Sequence, residues 1–249
     1  MSNPLTWLLL AVAGTAAGFF NVVAGGGSML TLPALILLGF PSAVANGSNR
    51  VAVMGQSISS VVAFRRKGYR EAALSMRYAL PAALGALLGS MAAVEASDEL
   101  FRKLLSAVMI LATAASFLRR TGETSPPGGE PRHGLVLSIV FLLIGFYGGF
   151  IQAGVGFLII AALHGLGRLP LVRTNGIKVF VVGLYTIPSL FVFVVQGKVA
   201  WLPAVILTAG HATGGWLGTH FTIRAGDRWI RIVLAAAVLA MALKLVGVF

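Results

Sequence analysis

Arg50 and Lys178 are the cations that fall just inside apolar stretches of this chain, each beside an asparagine motif: Gly47-Ser48-Asn49-Arg50 and Arg173-Thr174-Asn175-Gly176. Arginine and lysine only donate hydrogen bonds, and an asparagine amide can donate two more. The seven carboxylates (Glu71, Glu95, Asp98, Glu99, Glu123, Glu130 and Asp227) all fall in expected loops or at segment ends. A cation or proton pump needs buried carboxylates, whereas positive side chains without them suit an anion. The competing reading of Arg50 and Lys178 is snorkelling to lipid headgroups. Gln56, Gln152, His164 and His211 are further polar residues in or near apolar runs. Most read as hydrogen-bonding glue between helices, and His211 or His164 could carry a proton at neutral pH.

Glycine breaks supply a second kind of donor. Gly25-Gly26-Gly27 ends one apolar segment, and Ser28 is placed to cap the next. Glycine costs about 1 kcal/mol per residue in a helix interior, so three in a row unwind it. Unwound backbone at membrane depth must be buried in protein or line a wet cavity, and the N–H groups that open the next helix favour an anion. Gly154-Val155-Gly156 repeats the break in the second half. Other chemistry is unsupported. The chain has no cysteine, and its four histidines show no metal-ligand spacing. No nucleophile–base set is visible, so the expectation is a non-enzyme without metal or cofactor.

The elements that hold these residues are membrane segments. Hydrophobic residues make up 57% of the 249 and charged residues 10%, against about 25% charged in soluble domains. Lipid is the solvent such a chain requires. The net charge of +12 lies between apolar spans, which is the positive-inside pattern and not a nucleic-acid surface. Met1-Ser2-Asn3-Pro4 carries no basic n-region, so the first apolar stretch reads as a retained helix.

The chain also repeats itself. Ala24-Gly25-Gly26-Gly27 recurs 129 residues on as Ala153-Gly154-Val155-Gly156, as do Phe64 and Gly68 (Phe193, Gly197), the run from Gly85 to Ser90 (Gly214 to Thr219), and Asp98 and Arg102 (Asp227, Arg231). Pairing Asn49 with Asn175 gives a shift of 126, which implies three residues lost and regained. Ser48 and Thr174 then read as helix caps. Ten apolar segments are expected: 5–24, 28–40, 43–64, 72–94, 100–118, 134–153, 156–167, 171–195, 199–222 and 228–248. Segments 28–40 and 156–167 are too short to cross a hydrocarbon core of about 30 Å and read as half-helices or re-entrant arms. Pro81, Pro188 and Pro203 are candidate kinks. Pairs such as Gly85/Gly89 and Gly214/Gly218 suit close helix packing.

With the N-terminus outside and an odd number of crossings per half, 14 of the 19 Lys and Arg residues lie inside. Parallel halves would erase that bias, so the positive-inside rule favours inverted repeats. The domain reading is a first membrane repeat at 1–118, a polar Pro/Gly-rich cytoplasmic linker at 119–133 and a second repeat at 134–249. The fold class is all-α: a polytopic transmembrane helical bundle of 8–10 segments, built from two inverted-topology repeats with broken or re-entrant helices.

These motifs resemble a known family. The Ala-Gly-Gly-Gly-Ser-Met stretch, Pro33-Ala34-Leu35 in a short helix, Gly47-Ser48-Asn49 opening a long one, the Gly68 loop and the Gly85/Gly89 pair are similar to the sulfite exporter TauE/SafE family over almost the whole chain. The chain departs from the pattern at Val155 and Arg173. The resemblance implies a multi-pass carrier in the bacterial inner membrane exporting sulfite, a sulfonate or a related small anion; the charge count places the N-terminus in the periplasm, and rocking of the two halves would give alternating access to sulfite or an organosulfonate such as sulfoacetate. A passive anion channel, or a carrier for another small organic anion, is the alternative. The expected partners are a small anionic substrate, the lipid bilayer and room for a second copy as a homodimer, with no nucleic acid. The expected substrate contacts are Gly25, Gly26, Gly27, Ser28, Asn49, Arg50, Gly154, Gly156, Asn175 and Lys178, with Gln56, Gln152 and His211 secondary.

Overall fold

The computed structural model describes residues 4–118 and 134–245, so the linker reading lies outside the described residues. The described residues form an all-α polytopic membrane bundle: α1 (Pro4–Val23), α2 (Ser28–Leu37), α3 (Ser42–Arg66), α4 (Ala72–Glu95), α5 (Asp98–Leu118), α6 (Gly134–Phe150), α7 (Val155–Ile160), α8 (Leu171–Val195) and α9 (Trp201–Leu245). A π-helical turn, Ala161–Leu166, extends α7. Segments expected at 199–222 and 228–248 join in α9, interrupted at Gly226, where the backbone is non-helical. Pro81 and Pro188 lie inside helices. Pro203 falls in the first turn of α9, where its missing N–H removes no helical bond.

Helices α1, α4 and α8 are long and apolar enough to cross a bilayer. At 1.5 Å per residue the ten residues of α2 reach about 15 Å, half the hydrocarbon thickness. Large apolar side chains such as Leu8, Leu84, Leu143, Phe191 and Val205 are more than half exposed. The buried side chains of α3 are instead largely polar: Asn46, Ser48, Asn49, Arg50, Gln56, Ser57 and Ser60. This inverted distribution is what a lipid-solvated bundle with a polar centre requires.

The repeat is visible in the backbone. Helices α3 and α8 start after Pro41 and Pro170, whose extended ψ values are 146° and 147°. Those two prolines accept the first turn's bonds from Ala45 (2.9 Å) and Thr174 (2.8 Å). Positive φ occurs at Gly25 and Gly154, at Gly39 and Arg168, and at Gly68 and Gly197. Every pair is 129 residues apart, as are the two prolines. The 126 shift is therefore corrected: the register holds through α3 and α8, Asn46-Gly47 is the counterpart of Asn175-Gly176, and Asn49 faces no asparagine in the second copy.

The halves interleave. Helix α1 packs on α9 and α9 on α3, while α6 packs on α4 and α4 on α8. Carbonyls of α1 sit against Gly210 and Gly214, and carbonyls of α6 against Gly85 and Gly89, so the small-residue pairs do bring backbones together. Helices α3 and α8 meet between these two groups and run antiparallel, with Phe193 against Gly47 and Phe64 against Gly176.

Gly25 and Gly39 both hold left-handed φ, 93° and 91°. A Cβ on Gly39 would meet open space, whereas one on Gly25 would overlap the backbone of Gly156. Gly39→Ala is expected to cost about 1 kcal/mol of conformational strain. Gly25→Ala adds overpacking of about 1–3 kcal/mol. Thermal unfolding of both variants in detergent checks this: the melting point should fall clearly further for Gly25→Ala.

Candidate functional site

A helix ends with four carbonyls that its own backbone cannot satisfy. Helix α1 stops at Val23 and α6 at Phe150, both inside the bundle. Each is completed by a long helix of the other half. Asn46 Nδ2 of α3 donates to Phe150 O at 2.7 Å. Arg50 Nη2, one turn on, donates to Gly148 O at 3.1 Å and to Gly149 O. From α8, Asn175 Nδ2 donates to Val23 O at 3.2 Å, and Lys178 Nζ to Val22 O at 2.7 Å. The equivalent asparagines thus do equivalent work, and the cation beside each also supports the dipole's negative end.

This geometry replaces two expectations. Arg50 is 0% and Lys178 2% exposed, so neither snorkels. Ser28, Ser48 and Thr174 are not N-caps. Ser28 begins α2 after a helical Gly27, with no capping side-chain bond. Ser48 lies inside α3, more than a turn past its first residue, where its Oγ donates to Val44 O and accepts from Ala200 N. Thr174 Oγ1 reaches back to Leu169 O.

The two glycine turns touch. Gly25 and Gly156 lie backbone to backbone, and Gly154 abuts Met29 of α2. Residues 24–29 and 151–156 are all buried. Among the described residues the N–H groups of Gly26, Gly27 and Ser28, and of Ala153, Gly154 and Gly156, make no backbone hydrogen bond. Gly25 and Gly156 bring the turns together, and the neighbouring amides remain as donors. The Tyr147 hydroxyl donates to Ala153 O and pins the second turn.

The cations differ in what they leave free. Lys178 also donates to Asn175 Oδ1 at 2.7 Å, so two of its three protons are committed. Arg50 spends only Nη2 on carbonyls and lays its guanidinium 4.7 Å from the centre of the Phe193 ring. Its Nε and Nη1 have no hydrogen-bond partner. Asn49 accepts from Thr31 Oγ1 at 2.6 Å and leaves Nδ2 unpaired. Both amide atoms of Gln152 are unpaired as well. The Tyr185 hydroxyl sits beside Gly148, facing Arg50 and the Gln152 amide. The buried polar side chains include no carboxylate among the described residues. A buried donor left unmade costs about 1–3 kcal/mol, so this group of donors can take an acceptor, and one that brings its own negative charge would meet no buried carboxylate among the described residues.

Of the expected residues, Gly25 and Gly156 meet, Arg50 and Gln152 cluster at the end of α6, and Asn175 with Lys178 holds the end of α1. Gln56 pairs with Asn21 of α1 at 2.9 Å. His211 is buried on α9 where that helix touches Gly18. Sequence reasoning missed Asn46, Thr31 and Tyr185. The Asn-Gly dipeptide five residues after a proline in each half pointed to Asn46. The tyrosine in the middle of α8 was the signal for Tyr185.

Residues 10–245 match the family described as sulfite exporter TauE/SafE. A probable membrane transporter protein of Sinorhizobium sp. is 27% identical over 96% of this chain and 91% of its own length. One from Haemophilus influenzae is 28% identical over 96% and 93%. Another, YfcA of Escherichia coli, is 27% identical over 96% and 90%. No solved structure matches the chain.

Asn46→Ala and Asn175→Ala each strand a helix-end carbonyl and are expected to destabilise the protein similarly, by about 1–3 kcal/mol. Their melting points should fall together. A fall confined to one variant would contradict their equivalence.

Proposed function

The chain belongs to the sulfite exporter TauE/SafE family, and from that premise we propose that this integral membrane transporter exports a small sulfur oxyanion across the bacterial inner membrane. The observation that carries the reading is Arg50, wholly buried with Nε and Nη1 unpaired and no buried carboxylate among the described residues. An arginine's planar donors match the oxygens of sulfite or of a sulfonate such as sulfoacetate. Asn49 Nδ2, the Gln152 amide and the Tyr185 hydroxyl complete the coordination. Amides of the glycine turns add main-chain donors. Lys178 and Asn175 hold the end of α1 and contribute positive potential.

We assign the movement to the two interleaved groups, α1/α3/α9 and α4/α6/α8. They touch through α3 and α8, and both cation caps cross between them. Rocking about this seam must loosen the Arg50 and Lys178 bonds, so substrate occupancy and closure compete for the same donors. The antiparallel α3 and α8 and the 129-residue register support inverted repeats, with the N-terminus periplasmic and the basic ends cytoplasmic. An anion carried by such a protein needs no chemistry beyond binding and release.

Counterflow in proteoliposomes tests this reading. Unlabelled sulfite or sulfoacetate inside should accelerate entry of the labelled anion, which a channel would not do. Arg50→Gln is expected to lower exchange about 10-fold or more, as for a charged hydrogen bond worth about 1.5–3 kcal/mol. Tyr185→Phe and Asn49→Ala should lose less, with near-normal melting points. Unchanged exchange in Arg50→Gln would remove Arg50 from the site. For topology, Lys67→Cys and Gln196→Cys occupy positions 129 residues apart. Inverted repeats predict that an impermeant thiol reagent labels them from opposite sides of the membrane, and parallel repeats from the same side.

A further inference from the structure

His211 is wholly buried, and neither ring nitrogen has a hydrogen-bond partner. It is not isolated. His211, Gly215 and Thr222 follow one stripe of α9, spaced four and seven residues apart. Gly215 lies flush against Gln56 and the Ser60 hydroxyl of α3. The hydroxyls of Ser60 and Thr222 are buried and unpartnered too. Gln56 accepts from Asn21, whose Cβ packs on Gly27 in the first glycine turn. A stripe of polar groups therefore lines the seam between α1, α3 and α9: Gly215, Gln56 and Asn21 join it to that turn, with His211 one turn to one side along α9 and Thr222 two turns to the other. Buried polar groups without protein partners take up water, and hydrogen-bonded chains of such groups conduct protons.

Charges around the stripe decide what it can hold. The elements packed on α9 are α1, α3, α5 and α8. Helix α1 has no titratable side chain. Helix α3 carries Arg50, buried, and Arg65 and Arg66 at its exposed end. Helix α8 carries Arg173, Lys178 and Tyr185, and α5 offers Asp98, Glu99, Arg102 and Lys103, all exposed. His220, Arg224 and Arg228 of α9 itself lie on its exposed or partly exposed side. No buried carboxylate among the described residues would balance an imidazolium at 211. Its counter-charge has to arrive with the substrate.

We propose that His211 is the proton-binding site of a proton-coupled anion carrier. The proton adds to a lone pair of the imidazole, stabilised by the anion held at Arg50, and leaves when the anion leaves. Arg50 and Lys178 oppose a third positive charge until the anion is present, so the anion binds first, the proton follows, and the two cross together. This inference rests on the transport reading above.

Proteoliposomes containing a pH-sensitive dye and the full-length protein test it, with sulfoacetate as the probe because both its acid groups stay ionised near neutral pH. Wild type should acidify the lumen as sulfoacetate enters. His211→Gln should reduce that signal at least about fivefold while keeping most sulfoacetate exchange. Thr222→Val, which interrupts the stripe and leaves the histidine in place, should reduce it partly. Net sulfoacetate uptake without acidification in wild type would overturn the proton site alone. An undiminished signal in His211→Gln would also overturn it. Loss of exchange in proportion to the dye signal in both variants would make the stripe structural and overturn it. No exchange in wild type would overturn the transport reading and this proposal with it.

Discussion

Carbonyl oxygens at the end of a helix inside an apolar bundle have no water to turn to, and this constraint organises the centre of the protein. Helices α1 and α6 both stop short of where the chain needs to go, and each exposes its last carbonyls to the interior. Asparagine and a cation from the opposite half meet that need. The caps thereby pin the halves to each other and place positive charge where the backbone is broken. The contact between the halves and the buried positive charge come from the same side chains.

Duplication explains why the caps are crossed, and divergence explains why they are unequal. Asn46 and Asn175 hold the same register and the same kind of bond. The cations beside them do not: Lys178 follows its asparagine by three residues and bonds back to it, whereas Arg50 follows by four and does not. A lysine with one free proton closes its site, and a guanidinium with two idle nitrogens keeps its own open. The asymmetry leaves the unpaired donors on the α3–α6 side of a nearly symmetric frame.

Much of this architecture could be read before any coordinates. The helix limits fall within a few residues of the apolar segments because lipid imposes length as well as composition. The breaks at Gly25 and Gly154 were legible because glycine runs have one main structural use in such segments. The pairing of Asn49 with Asn175 misled, since matching the second letter of a polar cluster ignored the proline that starts each helix. Counting from Pro41 and Pro170 puts Asn46 in its place. Ser48 and Thr174 misled for a related reason: cap-forming residues also bond back to the preceding turn inside a helix.

By itself the sequence determined the class of protein, the positions of its helices, the duplication and the scarcity of acidic groups in its spans. Those properties follow from composition and spacing, which no folding step changes. Tertiary structure alone decided which donors are spent and which are left over. That outcome depends on angles between helices from different halves, and a linear pattern does not encode them. Gly25 against Gly156, Arg50 on the carbonyls of α6 and the Tyr185 hydroxyl beside them are products of that docking.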